Sequence, residues 1–508
     1  MYLTQPVHRS LQTKPDDTAT ICADRQFTVA QQADRVARLA GGLVGLDVSP
    51  GDRVAYLGLN SDRYLQYYLA VPWADAVVVP VNSRWSPQEI AFSLTDSGTE
   101  ILIVDDTFLP AVDAIRAAAP GLRTVVHAGD GPTPDGLISW DDLASSAPVA
   151  DARRGGDALA GIFYTGGTTG FPKGVMLSHR NLVTNALGGV ATGTNLPGGR
   201  FLHVAPMFHI ADYCCTVAVN LTLGSHVTVP GADPLIAMAA VQQHQVTSLG
   251  LIPIIIGMIV DHPEISTYDL SSVQRVGYGG SSITVALLER AKKALPGASF
   301  CQLFGQTEAG PFLTALLAAD HVDIERPNLL RSAGRAMVHT EVKIVDPDGN
   351  ECPRGVQGEI VGRGDNVMQG YWNRPEETAA ALRNGWLHTG DAGAMDEEGY
   401  VYVLDRIKDM IVSGGENVFS AEVENALAAH PAVAASAVIG LPDETWGERV
   451  HACVVLKPGL SVETEELRDH VRGLIAGYKV PRTVEFVDTL PASPAGKILK
   501  RELRAARS

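Results

Sequence analysis

The sequence predicts an α/β protein in two parts, a large amino-terminal domain of layered α/β subdomains and a small α+β carboxy-terminal domain. Three observations carry this. Over the first three-quarters of the 508 residues, helical and strand signals alternate, the pattern of a mostly parallel sheet flanked by helices. After about residue 335 short strands and tight turns replace that alternation and mark a small β-rich section. From Asp405 to Ser508 the chain has its own apolar pattern over roughly a hundred residues, enough for a separate domain. The domains are accordingly expected at 1–404 and 405–508.

In chain order, Phe27 to Leu43 reads as a helix and Val77 to Val81 as a buried strand ending near Pro80. Ser86-Pro87-Gln88-Glu89 supplies a capping Ser, a Pro at the first helical position and a Glu that reaches back to the cap. Gly98 then stops that helix before the strand Ile101 to Val104. Residues 130–157, rich in Gly, Pro, Ser and Asp, read as a surface connection. Leu251 to Val260 is the most apolar run, about half of the ~20 residues that span a bilayer, so it reads as a buried strand or short helix. Glu341 to Val345, Gly358 to Gly362 and Tyr400 to Leu404 read as short strands, with Asp348-Gly349 and Glu398-Gly399 as turns. Near the end one helix follows Ser420, with Glu422 and Glu424 in its first turn. Another covers Glu465 to Ile475, acidic residues leading and Arg472 late, as the helix dipole favours.

Hydrophobic residues make up 45% and charged residues 19%, proportions that allow large cores and exclude a mainly disordered chain. Forty Lys and Arg against 57 Asp and Glu give a net charge of -17, without the basic footprint of a nucleic-acid binder. Any polyanion must be held by local groups. The six cysteines, at 22, 214, 215, 301, 352 and 453, form no CxxC pair and have no His at metal-ligand spacing. Neither a zinc site nor a disulfide framework is expected, and a reducing cytoplasm fits. The amino terminus, MYLTQPVHRS, has no apolar signal core.

The segment Tyr164-Thr165-Gly166-Gly167-Thr168-Thr169-Gly170-Phe171-Pro172-Lys173-Gly174 brings glycines and hydroxyls together beside a lysine. Backbone N–H groups and hydroxyls in such a loop can close on an anion, so it reads as a phosphate clasp, or else as a flexible connection. It is not a Walker A loop, because Pro172 precedes the Lys and Gly174 follows it where Ser or Thr would hold magnesium. The nearest dinucleotide fingerprint, from Gly277-Tyr278-Gly279, fails at Ser282.

Further segments follow in a fixed order: Phe304-Gly305-Gln306-Thr307-Glu308, Thr389-Gly390-Asp391, Asp405-Arg406-Ile407-Lys408-Asp409, Ser413-Gly414-Gly415-Glu416-Asn417 and Pro494-Ala495-Gly496-Lys497. With the Thr/Gly loop they resemble the signature of the adenylate-forming superfamily, from about residue 25 to the end. Its members include acyl-CoA synthetases, firefly luciferase and the adenylation domains of nonribosomal peptide synthetases. The resemblance implies that a carboxylate attacks the α-phosphate of MgATP to give an acyl-adenylate and pyrophosphate, and that a thiol then displaces AMP. It also implies that the β-rich section is barrel-like, that residues 1–404 are the AMP-binding domain and that the small domain is mobile about a hinge at Lys408.

By the same resemblance Thr165, Gly166, Gly167, Thr168, Thr169, Gly170 and Lys173 hold the β- and γ-phosphates, Thr307 meets the α-phosphate and Glu308 coordinates magnesium. Gly279, Gly280 and Ser281 lie beside the adenine, with Phe304, Gly305 and Gln306 also in the nucleotide site; Asp391 and Arg406 take the ribose hydroxyls. Lys497 bridges the substrate carboxylate and α-phosphate and is the foremost catalytic candidate, where positive charge offsets the charge that builds during attack. Gly414 and Gly415 are the expected passage for the pantetheine arm, since a missing side chain admits a narrow thiol. The chain departs from the family at Gly166, where Ser is common. Taken singly, Asp405, Arg406 and Asp409 also read as a surface ion-pair cluster, and Lys497, Lys500, Arg501, Arg504 and Arg507 as a solvated basic tail.

The implied acid pocket is drawn from Pro206 to His209, Leu251 to Pro253, Gly279-Gly280 and Leu303 to Gly305, with Tyr213 beside it. These residues are apolar, aromatic or small and include no Arg or Lys, which suits an apolar monocarboxylate, fatty or aromatic, and disfavours a dicarboxylate. His209, Tyr213, Gly280 and Gly305 are its leading residues; His209 reads either as a substrate contact or as a hydrogen-bonded wall. Asp212 lies close to where amino-acid adenylation domains keep an acidic anchor for an ammonium. The chain ends soon after Lys497, so free coenzyme A is the expected acceptor and an acyl-CoA synthetase the expected enzyme. A stand-alone adenylating enzyme serving a carrier protein or another nucleophile is the alternative, and a non-catalytic nucleotide binder the third reading. Oligomeric state stays open, a homodimer included.

Overall fold

Residues 1–166, 172–323, 325–414, 416–491 and 498–507 are described by the structure, a computed structural model, with only the backbone at 417. The chain forms two compact units, Met1–Val342 with Gly362–Leu387, and Lys343–Val361 with His388–Ser508. It passes between them within the strands Glu341–Val345, Gly358–Arg363 and Trp386–Met395.

The first unit is built on two large sheets. Among the described residues, one has eight strands, with Leu159–Thr165, Val77–Pro80, Arg53–Leu57, Ile101–Val104, Thr124–His127 and Ile138–Ser139 parallel. Lys173–Ser178 and Gly370–Tyr371 are added antiparallel at its edge. Every residue of Val77–Pro80 and Ile101–Val104 is buried, as expected of parallel strands covered on both faces. The other sheet has nine strands. Ser299–Gly305, Arg275–Gly279, Ser248–Leu251, Arg200–His203, Ser225–Thr228 and Thr18–Cys22 are its parallel centre. The mostly parallel α/β expectation therefore holds, with antiparallel strands at the margins.

Local chemistry sets the helix starts. The Ser86 and Glu89 side chains exchange bonds with each other's backbone N–H, Pro87 opens the helix Pro87–Ser97 and Gly98 closes it in the left-handed region at φ 64°. Three expectations need correction. The helix expected at Phe27 to Leu43 runs Val29–Gly45, because Thr28 caps it through Gln31 while Arg25–Thr28 pairs as a strand with Thr18–Cys22. Within 130–157 the chain is more than a surface connection. Ile138–Ser139 joins the sheet edge and the helix Trp140–Ala144 buries Trp140, Leu143 and Ala144, apolar side chains that outweigh the polar composition around them. The run Leu251 to Val260 is split: a strand ends at Leu251 and a helix, Pro253–Val260, begins at the proline. Among the described residues no helix is long and apolar enough to cross a membrane.

The small sheet orders Glu341–Val345, Gly358–Arg363, Trp386–Met395 and Leu382–Arg383, with Val401–Arg406 also paired to Trp386–Met395. The rest of the second unit pairs Val433–Asp443 with Gly447–Leu456, which also carries Thr483–Phe486 in parallel. The helices Ser420–Ala428 and Thr464–Arg472 bury Val423, Leu427, Leu467 and Val471 in its core.

Candidate active site

The strand Ser299–Gly305 ends in Gln306 and a tight turn, Thr307–Ala309, that leaves Thr307 and Glu308 half-buried at the carboxyl end of the parallel strands, where open α/β sheets bind ligands. The turn is fixed from below. The Asn366 amide donates to Ala309 O and Phe312 O at 2.6 and 3.1 Å, and the Asn185 amide donates to the same oxygens at 3.2 and 2.9 Å. From the edge strand the Tyr371 hydroxyl donates to Glu308 Oε1 at 2.8 Å, and Met368 N donates to Glu308 O at 2.9 Å. The Lys173 ammonium stands over the Tyr371 ring, 5.1 Å from its centroid. Burial and the Glu308 charge push the Tyr371 phenol above its ordinary range, so it stays a proton donor. Two predicted residues from distant segments, Lys173 and Glu308, are thus joined through a tyrosine that the motif reading passed over; its Gly-Tyr-Trp-Asn-Arg-Pro context was the available signal.

The strand leading into the Thr/Gly segment is equally anchored. The Tyr164 hydroxyl donates to Asp96 at 2.7 Å, Arg374 donates to the same carboxylate at 3.1 Å and Trp372 Nε1 to Asp96 O at 2.9 Å. Thr165 pairs with Lys173 across the hairpin. A Cβ on Gly174 would stand 2.6 Å from Ile162 and 3.1 Å from the Tyr164 ring, so only glycine allows that closeness after Lys173. Gly166 is exposed, and among the described residues no atom lies within 4 Å of where its Cβ would be. Gly167, Thr168, Thr169 and Gly170 lie outside the described residues, as do Gly415 and Lys497.

Gly279 pairs with Leu303, which brings Gly279, Gly280 and Ser281 beside Leu303, Phe304 and Gly305. A Cβ on Gly279 would stand 2.2 Å from Leu303 O, and one on Gly305 2.0 Å from Pro311 O; both glycines are required by backbone approach, not only by room for a ligand. His209 caps the helix Ile210–Leu221, half-buried against Phe208 at 4.2 Å between ring centroids. Tyr213, one turn on, is fully buried among Tyr68 and Phe163, with no hydrogen bond to its hydroxyl among the described residues. Asp212 bonds His203 at 2.8 Å, His203 bonds His226 at 2.9 Å and His226 bonds Asn220 at 3.0 Å, a chain buried from Asp212 to His226 and half-buried at Asn220.

In the second unit Arg406 and Asp391 face each other across paired strands, Arg406 Nε lying 2.7 Å from the Asp391 carboxylate. Asp391 is buried, and its turn is held by Thr389 Oγ1 to Ile360 O at 2.7 Å and Gly390 N to Glu359 at 3.0 Å. Asp405 is no loose surface charge: it accepts from Ser420 N at 2.6 Å and from the Ser420 hydroxyl. Lys500 bonds that hydroxyl and pairs with Glu424 at 2.8 Å, and Arg504 pairs with Asp409 at 2.9 Å, so part of the basic tail is internal framework. Lys408 is exposed in the turn Ile407–Asp409. Gly414, at φ 63°, would put a Cβ 2.8 Å from the Trp446 ring. Spacing also missed a cluster of His451, Cys453 and Glu485 on neighbouring strands, whose carboxylate is gripped by Arg507. All six cysteines are free.

Residues 7–372 match the AMP-binding enzyme family, and residues 422–497 match its C-terminal domain. The chain belongs to the AMP-binding enzyme family. It is 41% identical over 501 residues to a feruloyl-CoA synthase of Amycolatopsis sp, covering 98% of this chain and 97% of that one. It is 36% identical over 520 residues to a fatty acid–[acyl-carrier-protein] ligase of Streptomyces coeruleorubidus, covering 99% and 96%. Among solved structures, the Mycobacterium tuberculosis fatty acyl CoA synthetase superposes with a TM-score of 0.79 at 33% identity, over 100% of this chain and 98% of that one. The protein is an acyl-CoA synthetase: it activates a carboxylic acid with MgATP as an acyl-adenylate and transfers the acyl group to coenzyme A.

Proposed function

We propose that the acid is an aromatic monocarboxylate without an ammonium group, and that the enzyme works in the cytoplasm. The observation that argues against an amino acid is Asp212, whose buried carboxylate is bonded to His203 and so is taken up inside the protein. His209, Tyr213, Gly280 and Gly305 are the proposed pocket residues, and identity to a feruloyl-CoA synthase favours an aryl body over an alkyl chain.

In this reading Lys173, with Thr165 to Gly170, takes the β- and γ-phosphates, Thr307 the α-phosphate, and Asp391 and Arg406 the ribose. Gly279 to Ser281 and Phe304 to Gln306 flank the nucleotide. Glu308 fits magnesium, being a half-buried hard carboxylate with lone pairs beyond the Oε1 bond to Tyr371. Held there, such an ion would offset charge on the phosphate oxygens. Lys497 stabilises the charge that builds as the carboxylate attacks the α-phosphate, and its acetylation would remove that charge. Domain 405–508 turns about Lys408, and Gly414 with Gly415 admits the thiol, since residues without side chains leave room for a narrow arm.

Competing aromatic, aliphatic, amino and dicarboxylic acids for one pool of coenzyme A tests the acid class. Hydroxycinnamates and benzoates should lead in kcat/KM; a lead by amino acids or long alkyl acids would contradict it.

A further inference from the structure

We propose that Tyr371 is a positioning residue that sets both the magnesium-holding carboxylate and the phosphate-binding lysine, resting on the reading of Glu308 and Lys173 above. Its hydroxyl donates to Glu308 Oε1 at 2.8 Å, and its ring carries the Lys173 ammonium 5.1 Å from the centroid. The tyrosine is itself held at three points. Its backbone pairs with Val175, two residues beyond Lys173. Its N–H donates to Thr378 Oγ1 at 2.9 Å. The preceding Gly370 sits at φ 137°, where a Cβ would strike Thr378 at 2.6 Å.

A carboxylate can turn about its last bond, and a lysine can swing through several rotamers. One phenol bonded to the first and stacked under the second removes both freedoms before the nucleotide arrives. The hydroxyl takes one lone pair of Oε1 and leaves the others for the ion, and hydrogen-bond partners of this kind tune metal ligands. Because a neutral phenol donates without adding charge, the carboxylate keeps its full attraction for a cation. The role is confined to adenylation: once pyrophosphate has left, thioester formation has no polyphosphate for Glu308 and Lys173 to serve.

Tyr371→Phe keeps the ring and loses the hydroxyl; Tyr371→Leu loses both. Magnesium titration of pyrophosphate release should show a midpoint raised about 10-fold or more in Tyr371→Phe, the usual effect of removing such a partner. Its acid KM should be unaltered, and its rate from supplied acyl-adenylate and coenzyme A should equal the wild type. Tyr371→Leu should in addition raise the KM for ATP. A wild-type magnesium response in Tyr371→Phe while Glu308→Gln shifts it would overturn the proposal alone. Equal losses in both half-reactions with a lowered melting temperature would also overturn it, in favour of a purely structural role. If Glu308→Gln leaves the magnesium response unchanged, the reading beneath the proposal falls with it.

Discussion

At the scale of single residues, the loop glycine at 166 is the clearest departure from the family pattern, and among the described residues nothing crowds it. A Gly166→Ser enzyme should fold normally and bind ATP more tightly, its KM falling about 3- to 10-fold for one added hydrogen bond. An unchanged or raised KM would mean that backbone N–H groups already saturate the phosphates. Asp212 and Tyr371 teach different lessons about what residue types reveal. An acidic residue beside an apolar segment leaves an ammonium anchor open in sequence, and its bond to His203 argues against that reading. Tyr371 carries no chemical label of its own. Its meaning arises from a strand pairing that sets it against residues some sixty and two hundred positions away, so no local pattern could expose it.

At the scale of elements, the first helix, Gln5–Thr13, is tied to the rest of its unit beside His179. The Leu3 N–H donates to His179 Nδ1 at 3.3 Å, so the ring must be neutral there, and burial lowers its pKa from 6.5 to about 4. Between those values the unfolded chain binds a proton that the folded chain refuses. Stability is therefore complete above pH 6.5 and falls toward pH 4, by an amount of order 3 kcal/mol from this group. Urea unfolding midpoints across that range should decline with acid, and the decline should be shallower in His179→Gln; an equal slope in the variant would remove His179 as a cause. Elements closed by short-range chemistry, such as Pro87–Ser97 between its capping box and Gly98, were legible in sequence. The helix Trp140–Ala144 was not, because its reason for existing is the distant surface that Trp140 covers, including a bond to Gln66 at 3.3 Å.

At the scale of the molecule, a large α/β part followed by a small α+β part was readable from the alternation of elements and from the separate apolar pattern after Asp405, and five ordered segments disclosed the chemistry. The compact units themselves interleave, since Lys343–Val361 belongs with the second and Gly362–Leu387 with the first; strand pairing across long separations creates that exchange, and hydrophobic period does not register it. The proposed pivot makes a prediction at this scale. Lys408→Pro removes a backbone freedom at an exposed turn, so it should preserve acyl-adenylate formation and abolish most thioester formation, read by assaying the half-reactions separately. Equal rates in both would take the hinge away from Lys408.

The central claim is that one chain couples adenylation of an acid to thioester formation. Mass spectrometry of all products from the purified protein with MgATP, coenzyme A and an aromatic monocarboxylate tests it most directly. Acyl-CoA, AMP and pyrophosphate should appear in equal amounts; ADP and phosphate, or AMP with acyl-adenylate and no thioester, would contradict that coupling.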